Sequence, residues 1–151
     1  NAAFEVEMDE QRGKYLDEIT EGMTAVFSKT VTEADIVMFA GITGDTNPVH
    51  LDEEFAKPTM FKGRIAHGML TAGFVSAVFG TKLPGPGCIY MSQNLKFKAP
   101  VKIGDTVKAR VTVSAIDQEK ARVTFATTCH VGDKIVLDGE AQLMVPRRPA
   151  A

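Results

Sequence analysis

The stretch AHGMLTAGFVSAVFG, residues 66–80, determines how the rest of this chain can fold. It contains no Asp, Glu, Lys or Arg, and its apolar and small residues leave almost no polar face. A helix that is hydrophobic on nearly every side is normally a buried one, so we expect it at the centre of the domain. Gly80 suits the position just past the end of such a helix.

Strands are the elements most suited to surround this helix, because the hydrophobic periodicity changes after residue 87. Apolar and polar residues alternate in four segments, which are 88–98, 106–115, 121–131 and 134–145. This period of two is typical of antiparallel strands with one covered face. A further strand is predicted over 23–32, and Gly132–Asp133 fits a tight hairpin turn. We therefore predict an α+β fold in which a curved antiparallel sheet wraps around the apolar helix.

The alternation also predicts which side chains of the strands face the helix. In the first segment these are Ile89, Met91, Leu95 and Phe97, and in the last segment the apolar set begins at Ile135. Their polar neighbours should then face away from the core.

A second helix is predicted to begin after Thr32. Asp35 follows three residues later, in a variant of the capping box. One apolar face is formed by Ile36, Phe39, Ala40 and Thr43. Gly44 ends this helix, and the segment GDTNPVH, residues 44–50, follows directly.

The segment GDTNPVH places an aspartate and one of the three histidines of the chain on a single short loop. Asn47 can bond to nearby backbone, and Pro48 stiffens the loop. A carboxylate and an imidazole held close together can activate one water molecule between them, so Asp45 and His50 are candidate proton-transfer groups. The alternative is that Asp45 is a turn residue and His50 a satisfied surface histidine.

The order of these features resembles one protein family. The chain resembles the MaoC-type hot-dog hydratases, particularly the (R)-specific enoyl-CoA hydratases, in the order of its segments. These are a helix, then GDTNPVHLD, a short connector, AHGM at the start of an apolar helix, and a run of long strands. The likeness covers roughly residues 20–146 and implies a single hot-dog domain, paired as a homodimer. We expect a weakly structured polar leader over residues 1–20, the hydratase domain over 21–146 and a tail over 147–151.

The resemblance also implies roles for particular residues. Asp45 and His50 match the catalytic pair of the family, with Asn47 as the asparagine of the motif. The backbone N–H of Gly68 matches the donor to the thioester oxygen. Ser76 is expected near Asp45. His67 is interpreted as a structural residue at the helix start, with a catalytic role left open.

The implied activity is that of a hydro-lyase, which adds water to a trans-2-enoyl-CoA and gives an (R)-3-hydroxyacyl-CoA. Such a reaction would serve fatty acid metabolism or the supply of polyhydroxyalkanoate monomers. One alternative is dehydration of a 3-hydroxyacyl thioester on another acyl carrier, or of a branched acyl-CoA. Another is a non-catalytic acyl-CoA-binding domain. The phosphates of CoA would meet scattered cations such as Lys57, Lys62, Lys96 or Lys98.

A metal site is a further alternative, because Asp45, His50, Asp52 and His67 are suitable ligand types. The loop is not an EF-hand, since it lacks the glycine and the final glutamate of that motif. The sequence also contains no H-x-x-x-H pattern and no paired cysteines. We therefore expect no metal and no other cofactor.

Charge and hydropathy bear on other classes of partner. A formal net charge of −2 and a pI near 5.9 argue against a nucleic-acid-binding surface. The longest uncharged stretch, Gly68 to Thr81, is shorter than the roughly 18 apolar residues of a membrane span. The acidic N-terminal stretch lacks the apolar core of a signal peptide. We expect a cytoplasmic protein without nucleic-acid or membrane partners.

Overall fold

The computed structural model describes residues 2–3 and 10–151, and the strands in this part of the chain form one antiparallel sheet. The strands are β1 (Thr24–Thr30), β2 (Ile89–Gln93), β3 (Lys96–Phe97), β4 (Thr106–Asp117), β5 (Arg122–Val131) and β6 (Lys134–Met144). Their order across the sheet is β1-β4-β5-β6-β2, and the short β3 also pairs with β6. The four alternating segments and the strand predicted over 23–32 are all found in this sheet.

The described helices are α1 (Glu33–Thr43), α2 (Pro48–Leu51), α3 (Glu53–Ala56) and α4 (Gly68–Thr81). The apolar stretch that opened the sequence analysis is α4, and it packs against β1, β4, β5 and β6. Its side chains Phe74, Val75, Val78 and Phe79 are buried in the core. The predicted α+β arrangement of an apolar helix against an antiparallel sheet is confirmed. None of the described helices combines the length and the apolar character that crossing a membrane requires.

One face of α4 remains exposed, which the sequence did not predict. Met69 is 55% exposed, and Gly73, Ser76 and Gly80 lie on the same exposed side at helical spacing. The expectation that this helix is buried on every side is therefore wrong for the single chain. The sheet covers only the face formed by the large side chains, because the small residues lie on the opposite face.

The strand β2 forms an edge of the sheet, and its apolar side chains are not covered. Ile89 is 52% and Met91 48% exposed, and Phe97 of β3 is 55% exposed. The alternation wrongly predicted that these three residues face the core. A shift in pairing register between Tyr90 and Ser92 interrupts the strict alternation, and β2 has only β6 as a neighbour.

A second irregularity places Ile135 outside the core. The register between β5 and β6 shifts between Cys129 and His130, so that Cys129 pairs with Leu137 but His130 pairs with Ile135. Consequently Val136 and Leu137 are both buried while Ile135 is 43% exposed. A single extra residue in one strand reverses the faces of its side chains, and an alternating pattern does not reveal it.

The first helix forms as its sequence predicts. The Thr32 hydroxyl accepts a hydrogen bond from the Asp35 N–H, and the Asp35 carboxylate accepts one from the Thr32 N–H. The helix ends at Gly44, whose φ of 81° is in the left-handed region that glycine tolerates best. The backbone is therefore turned into the segment containing Asp45 immediately after α1.

Two residues of the predicted N-terminal leader belong to the core. Leu16 and Ile19 are 2% and 3% exposed, and the Leu16 N–H donates to the carbonyl of Pro146. The expectation of weak structure is therefore wrong for residues 16–19, because their apolar side chains pack under the sheet. Residues 1 and 4–9 of that leader lie outside the described residues, and the domain boundaries at residues 20 and 146 stay predictions.

Candidate active site

A cavity of 430 Å³ brings together most of the residues predicted to form the site. It is lined by Asp45 from the loop after α1 and by His50 from α2. His67 and Gly68 line it from the start of α4. The potential ligand atoms of Asp45, His50 and His67 lie within 4.8 Å of one another. The opposite walls are apolar and come from the segment after β3 and from Val136 and Leu137 of β6. A group of proton-transfer side chains thus faces a largely apolar space.

Asn47 holds the loop that carries this pair, although it does not line the cavity itself. Its side-chain carbonyl accepts a hydrogen bond from the Val49 N–H at 3.2 Å and caps α2. Its own N–H donates to Oδ1 of Asp45 at 3.3 Å. Pro48 is the first residue of α2, where a proline loses no helical hydrogen bond. Asn47 therefore connects the carboxylate of Asp45 to the helix that contains His50.

His50 is buried and has a defined protonation pattern. Its Nδ1 lies 2.8 Å from the carbonyl oxygen of Ile65. A carbonyl only accepts hydrogen bonds, so Nδ1 carries the proton of the neutral ring and Nε2 keeps a lone pair. Burial lowers the pKa of His50, and the neighbouring His67 lowers that pKa further, against the opposite effects of the Ile65 bond and Asp45. The ring is therefore a neutral proton acceptor.

His67 supports both members of the pair. Its Nε2 lies 2.9 Å from the backbone carbonyl of Asp45, which makes Nε2 the donor. Its ring stacks on that of His50, with centroids 3.8 Å apart, and contacts Phe39 of α1 on another side. Among the described residues, its Nδ1 and the hydroxyl of Thr71 are buried without a hydrogen-bond partner. The structural interpretation of His67, with a catalytic role left open, stays a prediction.

Asp45 differs from His50 in its surroundings. Asp45 is exposed in the single chain, whereas His50 is only 8% exposed. The difference arises because Asp45 lies on the loop outside the helices, whereas α2 turns His50 inward.

Gly68 lies against the ring of Phe97. A Cβ atom at residue 68 would lie 2.6 Å from Cε1 of the Phe97 ring, which is closer than two carbon atoms can approach. Gly68 is the first residue of α4, so its N–H has no partner within the helix. The ring of Phe97 thus occupies the side of Gly68 on which a Cβ would lie. The free N–H remains next to the cavity.

The similarity to known proteins agrees with this geometry. The sequence model described as "MaoC like domain" matches residues 16–135. The chain belongs to the MaoC-like domain family. The match covers α1, the histidine-containing loop, α4 and five of the six described strands in full.

Two named relatives are similar to this chain over nearly their whole length. An (R)-specific enoyl-CoA hydratase of Rhodospirillum rubrum is 60% identical over 134 residues, which cover 89% of this chain and 93% of the relative. A 3-hydroxybutyryl-CoA dehydratase of Methylorubrum extorquens is 50% identical over 144 residues, which cover 95% and 92% of the two chains.

Solved structures of MaoC-like proteins share the fold. The unliganded R-hydratase of Pseudomonas aeruginosa superimposes with a TM-score of 0.85 at 43% identity, covering 90% of this chain and 88% of that one. The (R)-hydratase of Aeromonas caviae superimposes with a TM-score of 0.83 at 40% identity, covering 85% and 98%. The hot-dog fold expected from the sequence is confirmed.

In this MaoC-like chain, Ser76 does not lie at the cavity of Asp45. It lines a second cavity of 410 Å³ together with residues of β2, on the exposed face of α4. Ser76 lies eight positions after Gly68 in the helix, which is about 12 Å along the helix axis. The expectation that Ser76 lies near Asp45 therefore does not hold in the single chain.

Asp45, His50 and His67 place their potential metal-ligand atoms within 4.8 Å of one another, and the expectation of no metal stays a prediction. One nitrogen of each ring is already engaged, by the carbonyls of Ile65 and Asp45. The other nitrogen of each ring, Nε2 of His50 and Nδ1 of His67, keeps its lone pair. Asp52, the fourth possible ligand in the sequence, instead caps α3 by accepting from the Phe55 N–H.

The sequence analysis missed two residues that contact His50. Ile65 accepts the Nδ1–H bond, and the guanidinium of Arg64 donates to the backbone carbonyl of His50 at 2.6 Å. Both residues directly precede the AHGM stretch, and no motif signals their roles. Of the lysines considered for CoA phosphates, Lys98 lines the cavity.

Proposed function

We propose that this MaoC-like protein is an (R)-specific enoyl-CoA hydratase. The observation that carries the proposal is the position of His50, a neutral acceptor that shares one cavity with the carboxylate of Asp45 and the first N–H of α4. The relative of Rhodospirillum rubrum, named for this activity, supports the proposal through its 60% identity. The Aeromonas caviae hydratase is described as involved in polyhydroxyalkanoate biosynthesis, a use that (R)-3-hydroxyacyl-CoA from this enzyme would also allow.

The pair Asp45 and His50 would activate the attacking water. Both groups offer acceptors, namely the carboxylate oxygen of Asp45 and the Nε2 lone pair of His50, so each can hold one hydrogen of the same water molecule. We assign the base to Asp45, which takes one proton as the water oxygen bonds to Cβ. Asp45 then passes that proton to Cα, which completes the addition and leaves Asp45 as a carboxylate again.

Gly68 would stabilise the intermediate charge. As the oxygen of water attacks Cβ, the electrons of the double bond move toward the thioester and negative charge develops on its oxygen. The N–H of Gly68 and the positive end of α4 are suited to this oxyanion. The Phe97 ring closes the other side of Gly68, so the thioester oxygen would approach from the cavity.

We also propose that the active form is a homodimer. The edge strand β2 exposes Ile89 and Met91, and the exposed face of α4 lies beside them at the second cavity. An edge with apolar side chains is an aggregation hazard unless a partner covers it. A second copy is the commonest cover, and it would exclude water from the neighbouring groups. Helix α1 carries further exposed apolar residues, which are Val37, Met38 and Ile42.

Dehydration of a carrier-bound substrate is the second candidate function. A mitochondrial 3-hydroxyacyl-[acyl-carrier-protein] dehydratase of Arabidopsis thaliana is 35% identical over 127 residues, covering 82% of this chain and 73% of that relative. Both carriers attach the acyl group through the same thioester chemistry, so the same three groups could act on either. Only the part of the substrate outside the cavity differs.

The test is a direct assay with several substrates. The purified protein should consume trans-2-butenoyl-CoA and longer enoyl-CoA esters, which is measured as a loss of enoyl absorbance. Chiral analysis should find the (R)-3-hydroxy product. The same acyl groups on an acyl carrier protein serve as the comparison. Faster turnover on the carrier protein would favour the second candidate. Binding of saturated acyl-CoA without any hydration would support a non-catalytic domain.

A further inference from the structure

The side chain of Arg64 lies behind the proposed catalytic pair and joins two separate parts of the chain. Its Nε donates to the backbone carbonyl of His50 at 2.6 Å. Its two terminal nitrogens donate to the two carboxylate oxygens of Glu33, at 2.8 and 3.0 Å. Only 15% of the Arg64 side chain is exposed, whereas Glu33 is 56% exposed. A planar guanidinium with a two-point ion pair has little freedom to move.

The short helix α2 needs this support. It contains four residues, so its last carbonyl groups have no donor within the helix. Arg64 supplies a donor to the carbonyl of His50, and the next residue, Ile65, accepts from the ring of the same histidine. The Ile65 N–H also donates to the carbonyl of Val49 at 3.2 Å. Residues 64 and 65 thus hold both the backbone and the ring of His50.

The local backbone fixes Arg64 in place. Lys62 and Gly63 have positive φ values of 57° and 155°, which turn the chain sharply before Arg64. The Arg64 N–H donates to Oε2 of Glu53 at 3.1 Å. Arg64 is therefore held through its backbone by one glutamate and through its side chain by another.

We propose that Arg64 is a positioning residue for the hydration reaction, which sets the place of the His50 ring relative to Asp45. This inference rests on the proposed function, because it requires His50 to act on the substrate. Glu33 begins α1, and α1 leads at Gly44 directly to Asp45. The guanidinium therefore connects the element that carries the carboxylate to the residue that carries the imidazole. Lysine cannot replace it, because an ammonium group lacks the planar set of donors.

The first experiment compares variants that remove this arrangement with a matched control. Arg64→Lys and Arg64→Met should lower kcat for trans-2-butenoyl-CoA by roughly 10–100-fold, since a displacement of about 1 Å can cost as much as 100-fold. KM should change much less. Glu33→Gln should also lower kcat, but by a smaller factor, because Glu33 is more exposed. Arg148→Met, which removes an exposed two-point pair with Asp17, should keep the wild-type kcat.

The decisive comparison uses a background without the catalytic ring. Arg64→Met should cost little further activity in His50→Asn, because Arg64 acts through His50. In the wild-type background, nitrogen NMR of His50 should change from a single Nδ1–H form to a mixture when Arg64 is replaced. The positioning role would be overturned if the double variant lost as much kcat as the product of the two single losses. It would also be overturned if the kcat loss of Arg64→Met equalled its loss of folded protein. Wild-type turnover in His50→Asn alone would overturn the proposed function itself.

Discussion

At the scale of single residues, backbone carbonyl groups set the state of both histidines at the site. The carbonyl of Ile65 fixes the proton of His50 on Nδ1, and the carbonyl of Asp45 fixes that of His67 on Nε2. The side-chain environment then keeps His50 neutral, because burial lowers its pKa. A neutral imidazole with a free Nε2 lone pair is the form that can accept a hydrogen bond from water.

The lowered pKa of His50 predicts a particular dependence of stability on pH. In the unfolded chain the histidine takes up a proton below about pH 6.5, whereas in the folded protein it does so only at lower pH. The free energy of unfolding should therefore fall as the pH drops from about 6.5 through the folded pKa. Urea unfolding of the wild type and His50→Asn at pH 7 and 5 measures this contribution. The variant should lose less stability, and equal losses would contradict the assignment.

Replacements of Gly68 separate the role of its N–H from the role of its missing side chain. Gly68→Ala keeps the N–H but places a Cβ against the Phe97 ring, and Gly68→Pro adds the same clash and removes the N–H. Proline is tolerated at the first position of a helix, and the φ of −59° and ψ of 132° at His67 suit a residue before proline. Turnover of Gly68→Pro should be roughly 10²–10³ times below that of Gly68→Ala. Equal turnover would remove this N–H from the mechanism.

The sequence predicted the grouping of Asp45, His50, His67 and Gly68 because two contiguous motifs carry all of them. It did not predict the parts played by Arg64, Ile65 and Phe97. Arg64 and Ile65 act on His50 through main-chain carbonyls, and any residue type has a carbonyl, so no pattern marks such a contact. Phe97 resembles an ordinary core residue of a strand. Its contact with Gly68 depends on how β3 crosses the start of α4.

At the scale of elements, features with local causes were predictable and features with neighbours far along the chain were not. The capping box of Thr32 and Asp35 lies within four residues, and α1 begins and ends where the sequence indicates. The exposed positions of Ile89 and Ile135 follow from strand order and from register shifts, which involve residues many positions away. An alternating pattern shows that a strand has two faces but does not show which face is covered.

The edge strand β2 leads to a prediction about assembly. If a second copy covers it, Met91→Glu should bury a charge in the interface and convert the dimer to a monomer, which sedimentation at micromolar concentration measures. Ile103→Glu is the matched control, because Ile103 is 41% exposed in the loop before β4. That loop is hydrogen-bonded to Val31, directly after β1, and so lies on the β1 side of the sheet. This control should remain a dimer. A wild-type protein that sediments as a fully active monomer would contradict the proposed assembly.

At the scale of the whole molecule, residues 12–18 pack against residues 146–148, which lie far along the chain. Tyr15 lies under the guanidinium groups of Arg12 and Arg148, at 4.1 and 5.0 Å from its ring centroid. Asp17 also pairs with Arg148. These contacts cover one region of the fold, whereas β2 and one face of α4 stay exposed in the single chain.

The central claim is that Asp45 and His50 catalyse hydration and do not only shape a turn. Asp45→Asn keeps the size of the side chain and its ability to accept the Asn47 N–H bond, but it cannot take a proton from water at neutral pH. The most direct measurement is kcat for trans-2-butenoyl-CoA in Asp45→Asn, with the affinity for saturated butanoyl-CoA measured in parallel. We expect kcat to fall by roughly 10²–10⁴, the range of one general base, while that affinity changes little. Wild-type kcat in Asp45→Asn, or loss of folding and binding together, would contradict the claim.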